Sequence, residues 1–280
     1  MSVYEQAARF VRLLIPENIP DVTTRPFVTL TYAQSLDGKI AGLNGRQIIL
    51  SGQESMIMTH RLRTVHDAIM VGIGTVLNDD PRLSARLVDP SDPTPPRQPQ
   101  PIVLDTHLRF PFTAKLLQNF RNGTGKAPWI VTAEINDANE EKKARQVWLC
   151  RGSSILRFAK FLAFYTELFC IIVCRKLWKK QAPRSSSALR SMPKPKLFQT
   201  NQSTTSLPTT SLGYFSLSSL LPLLYHRGIA TLMIEGGAHV IQSCLETPGS
   251  VDLLIITVAP NFVGRNSVAA TGEEREVCMI

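Results

Sequence analysis

Residues 68–81, which read AIMVGIGTVLNDDP, determine the fold that we expect for the rest of the chain. The first four residues are apolar and predict a short buried strand, which breaks at Gly72 and Gly74 and continues as a helix. A strand that ends in glycines and leads into a helix leaves backbone N–H groups free at one point, where a phosphate can bind. Thr75 is predicted to cap this helix and still offer its hydroxyl to a ligand.

A second turn of the same kind lies far along the chain. Glu235, Gly236 and Gly237 follow a predicted strand and come directly before a predicted helix. We predict that the two turns lie on neighbouring strands and face each other, an arrangement that suits the pyrophosphate of a dinucleotide. The alternative is that the glycines only let each helix pack close to its strand, since the first turn has Leu77 where a dinucleotide fingerprint has its third glycine.

Strands and helices alternate along most of the sequence, which predicts an α/β fold with a mostly parallel sheet flanked by helices. Ligands of such sheets bind at the carboxyl ends of the strands, where both glycine turns are expected. The predicted strands are 26–33, 68–71, 101–105, 129–132, 229–234 and 252–258, and the predicted helices are 4–14, 51–65 (capped by Ser51), 116–121, 136–147, 216–226 and 240–245.

The composition is that of an ordinary globular protein, with 280 residues of which 44% are apolar. The N-terminus has no basic stretch followed by an apolar run, so we expect no signal peptide and a cytoplasmic location. The five cysteines are odd in number and lack metal-ligand spacing, so we interpret them as reduced and predict no metal site.

The net charge of +9 comes from one segment, and we therefore predict no nucleic-acid partner. Residues 151–200 hold eleven Lys and Arg residues and one Glu, which leaves the rest of the chain at −1. Residues 151–211 also break the alternation of strands and helices. We predict that they are a basic, low-complexity insert, disordered or not native coding sequence, within one domain made of 1–150 and 212–280. Three charged residues interrupt the apolar stretch at 155–174, which argues against a membrane helix. We also expect the domain to be incomplete at its C-terminus.

Five polar residues are candidates for a site, each with a structural alternative. Glu235 ends a buried strand between glycines, where a carboxylate needs a partner and often does proton or hydrogen-bond work. Asp37 lies in an Asp-Gly turn and is explained equally by turn formation. Lys39 faces either a phosphate or solvent. Arg63 and Arg86 are single cations for which ordinary surface roles are the alternative to phosphate binding.

Several motifs in one order resemble the riboflavin-pathway reductase domain over about 1–150 and 212–264. They are TLTYAQSLDGKIA (29–41), VGIGTVLNDDPRLSAR (71–86), PIVLDTHLRFP (101–111), LMIEGGAHVIQSCL (232–245) and VDLLIITVAPNFVG (251–264). This resemblance implies a dihydrofolate-reductase-like fold, NADPH as cofactor and a homodimer. It also implies hydride transfer to C1′ of the ribose of 2,5-diamino-6-ribosylamino-4(3H)-pyrimidinone 5′-phosphate, in its open-chain imine form, to give the ribitylamino product.

The resemblance also implies site residues. Those expected at NADPH are Ala33, Thr75, Asp79, Gly236, Gly237, Ala238, His239 and Val240. Those expected at the phosphorylated pyrimidine are Arg63, Leu83, Arg86, Glu235, Asp37 and Lys39, with the arginines at its 5′-phosphate and Glu235 as the catalytic candidate.

Two alternatives remain open from the sequence. The first is a non-catalytic or inactive protein of the same fold that binds acidic partners or membrane through 151–200. The second is a reductase for another pyrimidine or a pterin.

Overall fold

A seven-stranded parallel sheet forms the centre of the computed structural model, which describes residues 1–15, 24–132, 154–157 and 216–271. Its strands are β1 (Phe27–Ser35), β3 (Ala68–Gly72), β4 (Gln100–Leu104), β5 (Trp129–Thr132), β6 (Ser154–Arg157), β7 (Thr231–Gly236) and β8 (Leu253–Ala259). A short antiparallel pair, β2 (Lys39–Ala41) with β9 (Val268–Ala269), stands apart from this sheet. The α/β fold with a parallel sheet is therefore confirmed.

Six helices connect and cover the strands within the described residues. They are α1 (Val3–Leu14), α2 (Gln53–Val65), α3 (Ile73–Asp79), α4 (Lys115–Arg121), α5 (Leu217–His226) and α6 (Ala238–Glu246), with a 3-10 turn at Leu43–Gly45. The predicted cap of α2 is wrong, because Gly52 and not Ser51 precedes its first turn. None of these helices combines the length and apolar character needed to cross a membrane.

The strand order is β6-β5-β4-β3-β7-β1-β8, so β7 lies between β3 and β1 although it comes much later in the chain. The two strands that lead into the glycine turns are therefore neighbours and parallel. Because parallel strands end at the same edge of a sheet, both turns open at the carboxyl edge.

The sheet alternates its side chains between two buried faces. On β3, Ala68 and Met70 pack with α5 and α6 on one face. Ile69 and Val71 pack with α3 and α4 on the other, and α1 and α2 continue that second face over the neighbouring strands. Strands buried on both sides explain why the apolar runs in the sequence are nearly continuous.

The sheet also includes four residues of the segment predicted to be an insert, since β6 pairs in parallel with β5. The remaining residues of that segment, 158–211, and the helix predicted at 136–147 lie outside the described residues. The division into 1–150, 151–211 and 212–280 otherwise stays a prediction.

Candidate active site

The two glycine turns contact each other directly, as predicted. The Thr75 hydroxyl donates to the Gly236 carbonyl oxygen over 3.4 Å. A Cβ added at Gly237 would lie 2.9 Å from Thr75 Oγ1, and one added at Gly72 would lie 2.9 Å from Val240 Cγ2. Real Cβ atoms do not approach so closely, so at both positions only glycine fits this contact without a shift.

Thr75 holds the turns together in a different way from the one predicted. Helix α3 begins at Ile73 with Gly72 before it, so Thr75 lies inside the first turn and does not cap the helix. Its hydroxyl instead crosses to the second turn. The predicted capping role is therefore wrong, whereas the predicted place of Thr75 at the meeting point of the two turns is confirmed.

An open cleft of about 1130 Å³ lies at this junction. Its walls come from the carboxyl ends of β1, β3, β4 and β7 and from the chain between β2 and α2. Side chains and backbone from each of these elements face the cleft, among them Tyr32, Ala33, Ile48, Leu50, Thr75, Asn78, Asp79, Thr106, His107, Arg109, Glu235, Gly237, Ala238, His239 and Val240. The cleft is thus at the sheet edge where ligands of open α/β folds bind.

Most of the residues expected at the cofactor line this cleft together. Gly236 is not among the lining residues, but its carbonyl oxygen accepts the bond from Thr75. Helix α6 begins at the cleft wall, where the first N–H groups of a helix have no partner within it. Gly237 has φ +94°, a conformation that keeps backbone N–H groups accessible without a side chain in the way. Burial raises the pKa of Asp79 above its ordinary value. The helix N-terminus and the Gly237 turn fit a phosphate-bearing nucleotide.

Glu235 reaches the cleft because β7 contains a bulge. Met70 of β3 is opposite Ile234, but Val71 is opposite Gly236, so Glu235 is an extra residue without a partner on β3. Bulges often redirect a side chain next to an active site.

Arg63 of α2 holds this carboxylate from the second face of the sheet. Arg63 Nε donates to Glu235 Oε1 at 2.6 Å, and Arg63 Nη2 donates to Oε2 at 2.8 Å. The side chains are only 9% and 17% exposed. A carboxylate has about four acceptor positions, so each Glu235 oxygen can still accept a bond from a ligand N–H or O–H.

A loop of residues 82–86, which we call the arginine loop, brings further cations to this pair. Arg63 Nη1 donates to the Ser84 carbonyl at 3.0 Å. Burial lowers the pKa of Arg86, and the charges of Arg63 and Arg82 lower it further, while Glu235 opposes them. Arg63, Arg82 and Arg86 thus act on one another electrostatically near a single carboxylate, which gives this region a positive charge suited to an anion. Arg82 was not predicted, because a single Arg after Asp-Asp-Pro carries no sequence signal for this role.

Two residues predicted at the substrate are placed differently. Arg63 is committed to Glu235 and Ser84, so its guanidinium orients the carboxylate and does not face an open phosphate site. The Leu83 side chain is 2% exposed and packs in the core against α3 and α4, with φ +52° in its backbone. Only the backbone of Leu83 could therefore face a ligand, and its place at the substrate stays a prediction. Arg86 is exposed and remains available to an anion.

Asp37 has a structural task in the turn after β1. Its carboxylate accepts the Ser35 hydroxyl at 2.5 Å and the backbone N–H groups of Val263 and Gly264 at 3.1 and 2.8 Å. These bonds lower the pKa of Asp37 to about 2. Turn formation accounts for these contacts of Asp37, and the place of Asp37 and Lys39 at the substrate stays a prediction.

Thr106, His107 and Arg109 are cleft residues that were not named from the sequence. They follow β4, and buried Asp105 holds their loop by accepting the Phe110 N–H at 2.7 Å. The signal was present, because PIVLD reads as a strand that ends at the same carboxyl edge. It was missed because no glycine marks the turn.

The chain matches the RibD C-terminal domain over residues 26–164 and 166–277. A Schizosaccharomyces pombe protein is 40% identical over 253 residues, covering 87% of this chain and 77% of the relative. An Eremothecium gossypii protein is 31% identical over 261 residues, covering 91% and 82%. Both relatives are named 2,5-diamino-6-ribosylamino-4(3H)-pyrimidinone 5′-phosphate reductase.

The fold is also that of a solved structure. A riboflavin biosynthesis reductase of Saccharomyces cerevisiae is 24% identical and has a TM-score of 0.62, with 97% of this chain and 90% of the other covered. At this level of identity the similarity supports the fold alone.

Proposed function

The chain belongs to the RibD C-terminal domain family, and from this membership we propose that it reduces 2,5-diamino-6-ribosylamino-4(3H)-pyrimidinone 5′-phosphate to its ribitylamino product in riboflavin biosynthesis. The relatives named for this activity match most of their own length. One observation carries the proposal. A single cleft has two touching glycine turns, and the second of them begins with a carboxylate held by a guanidinium. The non-catalytic alternative depends on 151–200, and nothing in the described residues favours it.

The cofactor is a nicotinamide dinucleotide, and we propose NADPH. Its phosphates would lie on the backbone N–H groups at Gly237, Ala238 and His239, where the turns leave room for them. Arg109 adds positive charge to the cleft wall, which favours the additional phosphate of NADPH over NADH. When bound, the dihydronicotinamide supplies the hydride.

The pyrimidine would lie between this wall and Glu235. The free acceptor positions of Glu235 suit the N–H groups of a diaminopyrimidinone, and Arg82 and Arg86 suit its 5′-phosphate. In this arrangement the two arginines would lie beyond the carboxylate as seen from the glycine turns. The ligand would therefore be held at both ends, with its sugar between them.

The protein contributes mainly position and electrostatics. Hydride addition at C1′ breaks the C=N π bond, whose electrons move to nitrogen, and a protonated imine already carries the required proton there. The Glu235 carboxylate stabilises that positive iminium N–H, and Arg63 keeps the carboxylate aimed at it. This is the role in which we retain Glu235 as the catalytic residue.

We expect purified protein to oxidise NADPH when the ribosylamino substrate is added, followed by loss of dihydronicotinamide absorbance. The substrate without its 5′-phosphate should show a KM raised at least tenfold, roughly the value of one charge-assisted hydrogen bond. A pterin serves as the control substrate. Tight NADPH binding without any oxidation by the pyrimidine would contradict the proposal, and turnover of the pterin alone would favour the second alternative.

We further propose that the protein is a cytoplasmic homodimer and that β8 contributes to the interface. This strand is at one end of the sheet, and Leu254, Ile256 and Val258 are exposed along one of its faces. Exposed apolar edge strands commonly pair or are covered. A second copy of the chain would bury these side chains.

Ile256→Lys is expected to convert the dimer to monomers in sedimentation velocity, because it buries a charge in the proposed interface. Leu245→Lys changes a similarly exposed apolar residue on α6 and should leave the dimer intact. A monomeric wild-type protein would refute the dimer, and equal dissociation of both variants would refute the role of β8.

A further inference from the structure

His60 is a buried polar residue on α2 that the proposed reaction does not use. Its side chain has no exposed surface. The backbone N–H of Arg86 donates to His60 Nδ1 at 2.9 Å. Because Nδ1 accepts this bond, the ring is neutral and carries its proton on Nε2. His60 therefore connects the helix that carries Arg63 to the last residue of the arginine loop.

Each of the four residues from 83 to 86 is held by a different side-chain interaction. The Leu83 side chain packs in the core. The Ser84 carbonyl accepts from Arg63 Nη1 at 3.0 Å. Gln98 bonds both sides of Ala85, accepting from its N–H at 2.9 Å and donating to its carbonyl at 3.0 Å. The Arg86 N–H donates to His60.

This dense fixation keeps Leu83 in a left-handed backbone conformation that a non-glycine residue rarely adopts. Such conformations persist only where surrounding contacts impose them. The contacts do not touch a ligand themselves. Their common effect is to fix the direction in which the Arg86 side chain leaves the loop, beside the Arg63–Glu235 pair.

We propose that His60 is a positioning residue, which fixes the backbone of Arg86 through Nδ1 and thereby sets its guanidinium for the phosphate of the substrate. The inference rests on the proposed function for the identity of that phosphate. The electrostatic surroundings agree with it. Burial, followed by the charges of Arg63 and Arg86, lowers the pKa of His60 to about 4, with a smaller opposing effect from the Ser84 backbone. The ring thus stays an acceptor at neutral pH.

Two polar variants separate the Nδ1 bond from the bulk of the side chain. Asn places an acceptor oxygen near the position of Nδ1, whereas Gln places its amide near Nε2. His60→Gln should raise KM for the phosphorylated pyrimidine about tenfold, equivalent to about 1.4 kcal/mol, with kcat and the Kd for NADPH changed less than about twofold. His60→Asn should restore most of the loss.

The rate of amide hydrogen exchange at Arg86 reports on the bond to His60 without any substrate. We expect exchange about tenfold faster in His60→Gln, in line with the same lost bond, and near the wild-type rate in His60→Asn. His66→Gln is the matched control, since His66 is equally buried but bonds Leu62 and Thr29 away from the arginine loop. That variant should lower stability without changing KM or exchange at Arg86.

The positioning role is wrong if His60→Gln leaves KM and exchange unchanged, if His60→Asn is impaired as strongly as His60→Gln, or if the NADPH Kd rises as much as KM. Should wild-type protein fail to reduce the pyrimidine, the proposed function falls. Exchange at Arg86 in the two variants would then still decide whether His60 holds the loop.

Discussion

Glu235→Gln is expected to lower kcat/KM for the pyrimidinone phosphate about 100-fold or more, the usual effect of removing one preorganised charge from an active site. The amide cannot stabilise a positive iminium as a carboxylate does. The NH₂ group of Gln is a donor and would face a donor N–H of the guanidinium. The mostly buried Arg63 therefore loses one of its two hydrogen bonds to residue 235. We expect NADPH affinity to stay within about twofold, since the glycine turns are untouched. Steady-state kinetics and NADPH fluorescence titration measure both quantities.

Asp252→Asn is the matched control. Asp252 also accepts two bonds from one arginine, from Arg25 Nη1 and Nη2 at 2.7 and 2.8 Å, but it precedes β8 at the opposite edge of the sheet. This variant should lose stability and keep its kinetics. If Glu235→Gln retains wild-type kinetics, or if the control loses as much activity, Glu235 is not the catalytic residue.

Gly237→Ala is expected to weaken NADPH binding about 100-fold, equivalent to about 2.7 kcal/mol. The new methyl would lie 2.9 Å from Thr75 Oγ1, at a residue with φ +94°. Either Thr75 rotates and breaks its hydrogen bond to the second turn, or the second turn shifts. In the second case the first N–H groups of α6 no longer point at the phosphates of the cofactor. A fluorescence titration with NADPH measures the change.

Gly228→Ala separates backbone strain from cleft geometry. Gly228 has φ +84°, and no atom lies within 4 Å of its added Cβ. It follows α5 at the amino edge of the sheet, away from the cleft. Both variants should lower the melting temperature, but only Gly237→Ala should weaken NADPH binding. Equal effects of both on the Kd would show that strain alone is responsible.

The fold was largely predictable because strands buried on both faces leave continuous apolar runs, such as 68–71 and 129–132. The expectation that the two glycine turns meet anticipated that β7 lies beside β3, but not that its other neighbour is β1. The β2–β9 pair was not anticipated, since it joins stretches of only three and two residues whose pairing depends on tertiary structure.

The site was less predictable because its geometry depends on side-chain direction. Glu235 was identified from its place between glycines, but the bulge that redirects it is visible only in the register with β3. Arg63 was assigned to a phosphate because an isolated Arg on a helix does not reveal its partner 172 positions away. The left-handed backbone that accompanies the burial of the Leu83 side chain also carried no signal in the sequence.

Strand β7 lies in the centre of the sheet although it comes late in the sequence, and this has a consequence for folding during synthesis. Phe27 is paired with Thr231, so β1 and β3 have no strand between them until residues 231–236 have been synthesised. The nascent protein must therefore keep two apolar strand edges unpaired for much of translation. We expect it to depend on chaperones during this interval, and to acquire its cleft only in the last step of folding.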